Sequence, residues 1–308
     1  MIDVVMVAHD RKGLVFEALP LLLDCPLIQQ VCVIDNASSD SLAEEGPRRF
    51  PEVDWILLEA NEGCVAWNRG ARRAISPYVL ILDDDCVPDL DSLRAASEHL
   101  DSDPRTAMAV FNILNAWSGR SEWGFLEPLD GSTGWPNALG ACLLVRVEAF
   151  LKVGGYKDFF LCFNDLELVL ALWEAGFRVV YDRRWKAFHK RPPSGRDRRF
   201  YFEVRNFTAT VWRHFDSLPG LVVIANYAAR ALWEARVQGK AQTVVRAVRD
   251  GLRLGPRLCS ERRGTIPSHV RFLFYVNFLW GRRLARGLPR AGTPPGSGSL
   301  RTRVRSAD

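Results

Sequence analysis

At 308 residues, 48% hydrophobic and 25% charged, the chain has the balance of a folded protein with room for a large core, which excludes wholesale disorder. Its formal net charge of +5 hides a split: residues 1–190 carry 18 Lys/Arg against 29 Asp/Glu, a balance of −11, whereas residues 191–308 carry 23 against 7, a balance of +16. Seven scattered cysteines with no CxxC argue against a disulfide frame or a zinc knuckle and for reduced thiols in a cytosolic setting.

The first hundred residues alternate short apolar runs with helical patterns. VVMVA (4–8) precedes LVFEALPLLLD, VCVID (31–35) precedes a polar turn and a helix, WILLE (55–59) precedes a helix through VAWNRGARRA, and YVLIL (78–82) runs into an acidic turn. This βαβα order predicts an α/β fold, a mostly parallel sheet flanked by helices. Ligands of such sheets gather beyond the carboxyl ends of the strands. DNASSD (35–40) and DDDC (83–86) both fall there, so their carboxylates are expected on one rim. The chain opens directly on the strand-like MIDVVMVAH, and no leader segment is expected.

From residue 107 the pattern loosens. MAVFNI reads as a strand, and NAWSGRSEWGFLEPLDGSTGWPN, with three tryptophans, reads either as a substrate-facing loop or as a hairpin with its tryptophans packed inward. A strand (ALGACLLV, 138–145), a short helix and the turn GGY follow; then comes a helix opened by Asn164 and stopped by Gly176, and a further strand. Beyond residue 197 three helical segments are apolar on one side and arginine-bearing on the other, and none has the roughly 20 unbroken apolar residues of a spanning helix. They suit an interfacial helix, 269–288 foremost, or simple packing on the preceding domain. Residues 291–308 read as a loose basic tail. The basic third could face nucleic acid, an anionic membrane, a phosphate-bearing substrate or solvent. It holds no recognised nucleic-acid motif, and the acidic first part would repel phosphate, so no nucleic-acid partner is expected.

Asp83, Asp84 and Asp85 repel one another, and a hard divalent cation, Mg²⁺ or Mn²⁺, would offset that repulsion and grip a diphosphate. The chain contains neither GxxxxGK[ST] nor a GxGxxG after its first strand, so no glycine-rich turn is available to wrap a pyrophosphate.

DNASSD (35–40), NEGCVAWNRGARRA (61–74), YVLILDDDCVP (78–88), LGACLLVRVEAFLKVGGY (139–156), FNDLELVLALWEAGFRVVY (163–181) and the later His189 resemble, in order and spacing, the family 2 glycosyltransferases of GT-A fold. The likeness covers roughly residues 2–215, and RFYFEVRNFTATVWRHF resembles a segment of the bacterial rhamnosyltransferase-like members. It implies a nucleotide-sugar-binding half over 1–110 and an acceptor-binding, catalytic half over 111–215, followed by a basic helical extension over 216–290 and the tail 291–308. Asp83 and Asp85 match the DxD pair, with His189 as a third metal ligand. Asp35, Asn61, Arg69, Asp83, Asp84 and Gly140 are the implied donor-binding residues, and Trp135, Asn164 and Glu167 the acceptor-binding ones. Asp165 is the implied base, in a motif usually written ED that here reads NDLE, so Asn164 stands where the family has Glu. Arg205 is a candidate phosphate contact, and His9 and Asp10 candidate contacts of the donor base.

The implied reaction is metal-dependent, inverting transfer of a sugar from a nucleotide-diphosphate donor, dTDP-rhamnose or a UDP-sugar, to a glycan or lipid-linked acceptor in cell-surface polysaccharide synthesis. The implied place is the cytoplasm, peripheral on the inner face of the membrane, with the C-terminal helices on its anionic surface. A sugar nucleotidyltransferase and a catalytically inactive sugar-binding member are the alternatives. The first would want a glycine-rich basic turn where VAHDRKG stands, and Asn164 is what suggests the second.

Overall fold

Strand β1 (Ile2–Ala8) is buried along all seven residues. Val5 and Val7 face one core and Val4, Met6 and Ala8 the other. A strand covered on both faces has no polar side, which is why it reads as an unbroken apolar run. The structure, a computed structural model, describes residues 1–123, 137–190, 199–215, 217–259 and 264–286.

The chain continues through α1 (Lys12–Leu23), β2 (Ile28–Asp35), α2 (Leu42–Arg49), β3 (Asp54–Leu57), a 3-10 turn at Gly63–Ala66 leading into α3 (Trp67–Ala71), β4 (Tyr78–Asp83), β5 (Cys86–Pro88) and α4 (Leu90–Ser102). Then come β6 (Thr106–Asn115), β7 (Cys142–Arg146), α5 (Val147–Lys152), α6 (Asn164–Glu174), β8 (Arg178–His189), α7 (Phe200–His214), α8 (Leu218–Val237), α9 (Ala241–Cys259) and α10 (Ser268–Arg286). One eight-stranded sheet runs in the order β3-β2-β1-β4-β7-β6-β8-β5. β1 to β4 pair in parallel except through β7, which lies antiparallel to both β4 and β6; β6 and β8 are parallel, and β5 is antiparallel to β8. The sheet is therefore mixed, with four of its seven strand pairings parallel, because the strict βαβ alternation stops at β4. Residue 110 lies inside β6, so the two expected halves share one sheet.

Helix α6 is buried from Leu166 to Glu174 and apolar along that stretch but for Glu167 and Glu174, as suits a helix packed between the sheet and other helices. Gly176, at φ +87°, takes the left-handed turn that ends it. The C-terminal helices pack on this side. Phe274 of α10 stacks on Phe215 at 4.4 Å, and Val270 and Phe274 are fully buried. Phe274, Tyr275 and Phe278 thus pack on the core, whereas Phe272 is 65% exposed. Among the described residues no helix is long and apolar enough to cross a membrane.

Candidate active site

The acidic rim forms where β4 ends. Asp83 closes that strand, and Asp84 and Asp85 turn the chain into β5, whose Cys86 pairs with His189 at the end of β8. That pairing brings His189 Nε2 to 3.0 Å from Asp85 Oδ1. The other ring nitrogen, Nδ1, lies 3.0 Å from Glu122 Oε2. Arg11, just past β1, donates through Nη1 to Asp84 Oδ1 at 2.9 Å and to Asp85 Oδ2 at 2.7 Å. Its guanidinium is the built-in cation of the triplet.

Burial pushes the Asp84 carboxyl up to about 7 against the pull of Arg11, with Asp85 and Asp83 pushing the same way. Burial works to lower His189, but hydrogen bonds and charge from Asp85 and Glu122 outweigh it and hold the imidazole at about 9. The rim fits a divalent cation. Asp83, Asp85 and His189 each offer one ligand atom, all within 4.8 Å of one another. That spacing suits one ion with bonds of about 2.0–2.6 Å, and Glu122 would fix the ring as a carboxylate behind a ligating histidine does.

Asp165 approaches from the first turn of α6. Its Oδ1 accepts from the Tyr156 hydroxyl at 2.9 Å. A Cβ on Gly140 would overlap its carboxylate, so only glycine there leaves the side chain its place. Burial pushes its carboxyl up to about 7 in spite of the Tyr156 hydrogen bond, and the charge of Asp83 adds to the rise. The residue nonetheless keeps partial exposure. Asp83 and Asp165 both act electrostatically on the thiol of Cys64, which lines a cleft of about 750 Å³. Asp83 lines that cleft, and Asp165 is coupled to Asp83 through charge without being one of the lining residues.

The loop between Tyr156 and Asp165 is strained. Phe160, Cys162 and Phe163 all have positive φ, at 64°, 67° and 60°, where bulky side chains are rare. Asn206 of α7 holds it, donating through Nδ2 to the carbonyls of Phe159, Leu161 and Cys162 at 3.1, 2.6 and 3.0 Å. From the other side the Cys64 amide donates to the Phe160 carbonyl at 2.8 Å. Phe160 and Leu161 then line the cleft.

The other expected site residues divide. Asn61, Asp83 and Asp84 line the cleft, as do His9 and Arg11. Asp35 is buried and accepts from the Ser38 amide at 3.0 Å, the turn-capping role its sequence context allows. Arg69 is an exposed side chain held by two hydrogen bonds to Glu62, at 2.8 and 2.5 Å, and is not among the residues that line the cleft. Arg205 binds the Phe159 carbonyl and Asn206. It belongs to the loop's support. Glu167 is fully buried against Arg213, because two positions along a helix turn a side chain about 200° from Asp165. Asn164 is buried at 3% exposure, and its side-chain amide has no hydrogen-bond partner among the described residues, so it too is no surface contact. Trp135 lies outside the described residues. Of its loop, Trp123 is buried and donates to the Phe111 carbonyl at 3.0 Å, whereas Trp117 is 57% exposed.

Four residues escaped the sequence reading. Arg11 follows His9 and Asp10 in the first rim turn, a position that signals it. Tyr156 sits inside the GGY turn, and Asn206 inside RN, where arginine draws the eye. Glu122 has no local signal at all.

Residues 3–152 match the family model described as Glycosyl transferase family 2. The N-acetylglucosaminyl-diphospho-decaprenol L-rhamnosyltransferase of Mycobacterium tuberculosis, in strains CDC 1551 / Oshkosh and ATCC 25618 / H37Rv, is 30% identical over 155 residues, 48% of this chain and 47% of the relative. The match thus spans about half the length of those curated relatives. Among solved structures, GalNAc-T7 with UDP, GalNAc and Mn²⁺ superposes with a TM-score of 0.61 at 14% identity, over 87% of this chain and 58% of that one. The mannosyltransferase PcManGT of Pyrobaculum calidifontis, in complex with GDP-Man and Mn²⁺, gives 0.59 at 16% over 92% and 86%. S. aureus TarS 1–349 gives 0.59 at 13% over 92% and 87%. The family 2 glycosyltransferase match over residues 3–152 thus falls on the part of the sheet that carries the acidic rim, and these solved structures share its fold.

Proposed function

We propose that the protein is an inverting glycosyltransferase that moves a sugar from a nucleotide-diphosphate donor to a hydroxyl of a glycan or lipid-linked acceptor in cell-surface polysaccharide synthesis. The observation that carries this reading is the nearness of Asp165 to the rim: its carboxylate lies against Gly140, and the next residue's carbonyl accepts from the amide of Asp83, which lines the cleft. Asp83, Asp85 and His189 would hold Mg²⁺ or Mn²⁺, whose charge would stabilise the departing diphosphate.

The remaining work falls to side chains. Asp165 takes the proton of the acceptor hydroxyl as that oxygen bonds to the anomeric carbon; the bond from this carbon to the diphosphate oxygen breaks, and its electron pair leaves with the nucleoside diphosphate. Attack opposite the leaving group inverts the anomeric configuration. A carboxyl near 7 is matched to this duty at neutral pH. Tyr156 fixes its direction through Oδ1. Asn61, tied to Asn36 at 3.0 Å on the cleft wall, and Asp35 behind that wall support the donor's nucleoside end. Rhamnose as the donor sugar and a lipid-linked acceptor are supported by the rhamnosyltransferase match, so dTDP-rhamnose is the first donor to try, before UDP-sugars. The cytoplasmic side suits seven free cysteines.

Thermal shift with a nucleotide-sugar panel, with and without Mn²⁺, followed by NMR of the product's anomeric centre, tests the proposal. One donor class should raise the melting temperature only with metal, and Asp165→Asn should bind it equally while turning over about 10²–10⁴-fold more slowly. Equal shifts without metal, a retained anomeric configuration, or full turnover by Asp165→Asn would overturn it.

A further inference from the structure

Helices α8 and α9 turn an apolar face to solvent. Along α8, Leu221, Ala225, Ala229, Trp233 and Val237 recur at every fourth position and are all exposed, Trp233 by 72% and Val237 by 87%. Beside them α9 exposes Val245 and Leu252, and an apolar groove of about 570 Å³ runs between the two helices. The opposite faces are already used: Ala231, Ala235, Val244 and Ala247 pack with Phe200 and Val204 of α7. A continuous apolar stripe of this length on a surface marks a docking site.

Charge selects the occupant. Residues 217–259 hold seven Arg/Lys against Glu234 and Asp250, and Arg249 and Arg253 line the groove itself. A second copy on this face would set arginine against arginine. Residues 287–308, with four arginines and one aspartate, carry the same sign. An anionic bilayer matches both features, its headgroups meeting the arginines and its acyl boundary the Trp233 stripe. We infer that the α8–α9 face, and not α10, docks the protein on anionic phospholipid. Lys240 and Thr243, at the corner between these helices, line the catalytic cleft, so docking brings the cleft mouth to the headgroup layer. Only that last consequence, access to a lipid-linked acceptor, rests on the glycosyltransferase reading.

Co-sedimentation with vesicles tests it, comparing phosphatidylglycerol mixed into phosphatidylcholine with phosphatidylcholine alone, at low and high salt. The full chain should bind the anionic vesicles at low salt about tenfold more tightly or better. Trp233→Glu with Leu252→Glu should remove that binding, Arg249→Gln with Arg253→Gln should remove the preference for phosphatidylglycerol, and Phe272→Glu on α10 should change nothing. Unaltered melting temperature and donor-induced shift in each variant separate a lost surface from a lost fold. Equal binding to both vesicle types, full binding by the Trp233/Leu252 variant, loss with Phe272→Glu, or a concentration-dependent dimer that Trp233→Glu dissolves without any vesicle binding would each overturn the inference. A wild-type chain that binds vesicles but shifts with no nucleotide sugar would instead sink the enzymatic reading and leave the docking face standing.

Discussion

The rim cluster and the cluster between α6 and α7 use the same residue types. At the rim, Asp84, Asp85 and Glu122 meet Arg11 and His189; in the core, Glu167 and Glu174 meet Arg213 and His214. Arg213 binds Glu167 and lies 3.8 Å from Glu174, and His214 stands 3.6 and 3.4 Å from the same two carboxylates. Exposure separates the two clusters. Arg213 and Glu167 are 1% and 0% exposed, whereas Arg11 is 36% exposed on a cleft. Sealed on all sides, the core set can only fasten α7 to α6. Open on one side, the rim set can exchange its cation. Helix α6 joins the two functions, because Asp165 and Glu167 leave it in nearly opposite directions.

Removing the core cation should have the largest effect. Arg213→Met takes the guanidinium from the buried carboxylates of Glu167 and Glu174, and a loss of about 3–5 kcal/mol is expected in urea unfolding. Adding Glu167→Leu and Glu174→Leu should return much of it, because apolar packing then replaces both carboxylates along with the guanidinium. If Arg213→Met unfolds like the wild type, the core cluster is no fastener.

Asp165→Asn comes next, with turnover about 10²–10⁴-fold lower and donor binding kept. It carries a pH signature. The carboxyl, ordinarily near 3.8, is raised to about 7 in the folded chain, so the folded state favours its neutral form. The stability this gives is full below the unfolded value and is lost as pH rises through about 7; Asp165→Asn should therefore escape a decline that the metal-free wild type undergoes between about pH 4 and 7. Parallel stability curves would show that the group ionises unhindered.

Asn206→Ala should cost less. It frees the strained carbonyls of Phe159, Leu161 and Cys162, and about 1–3 kcal/mol of stability is expected to go with their hydrogen bonds. Turnover should drop about tenfold or more as the loop beside Asp165 relaxes, while Mn²⁺ binding stays unchanged because the rim is not touched. A matching loss of metal affinity would mean that the two sides of the cleft move together.

What the sequence revealed follows the same division between local and distant causes. The β1–β4 half was legible because each strand is a continuous apolar run and each turn carries its own polar signal; Asp83 and Asp85 could be placed on the rim from position alone. Gly140 and Asp165 were legible only as pieces of motifs, since their juxtaposition depends on β7 lying antiparallel between β4 and β6. Arg69 and Glu167 teach one thing: a charged residue in a motif does not say which protein side chain will pair with it, and here Glu62 and Arg213 do. Glu122 was invisible, because the contact with His189 spans 67 residues and follows no periodicity. The C-terminal helices were read correctly as amphipathic, but which of them still had an uncovered side is decided by packing against α7 and Phe215.

Arg11 offers the finest test of the rim. Its two hydrogen bonds set one positive charge against Asp84 and Asp85, and Asp85 is also one of the three residues that would ligate a metal, so guanidinium and divalent cation compete for the same carboxylate. Arg11→Gln should then lower the stability of the metal-free chain by about 1 kcal/mol or less, as for a partly exposed pair. It should raise affinity for Mn²⁺ alone by up to about tenfold, measured by titration without nucleotide, since the ion no longer displaces a bound cation. With donor present the gain should shrink or reverse, because a guanidinium released from Asp85 remains in the cleft to meet the diphosphate. A weaker affinity for Mn²⁺ alone would give Arg11 the opposite role, that of a brace holding Asp85 in its ligating position. The sign of one titration therefore decides whether the rim exchanges its counter-ion or merely keeps it.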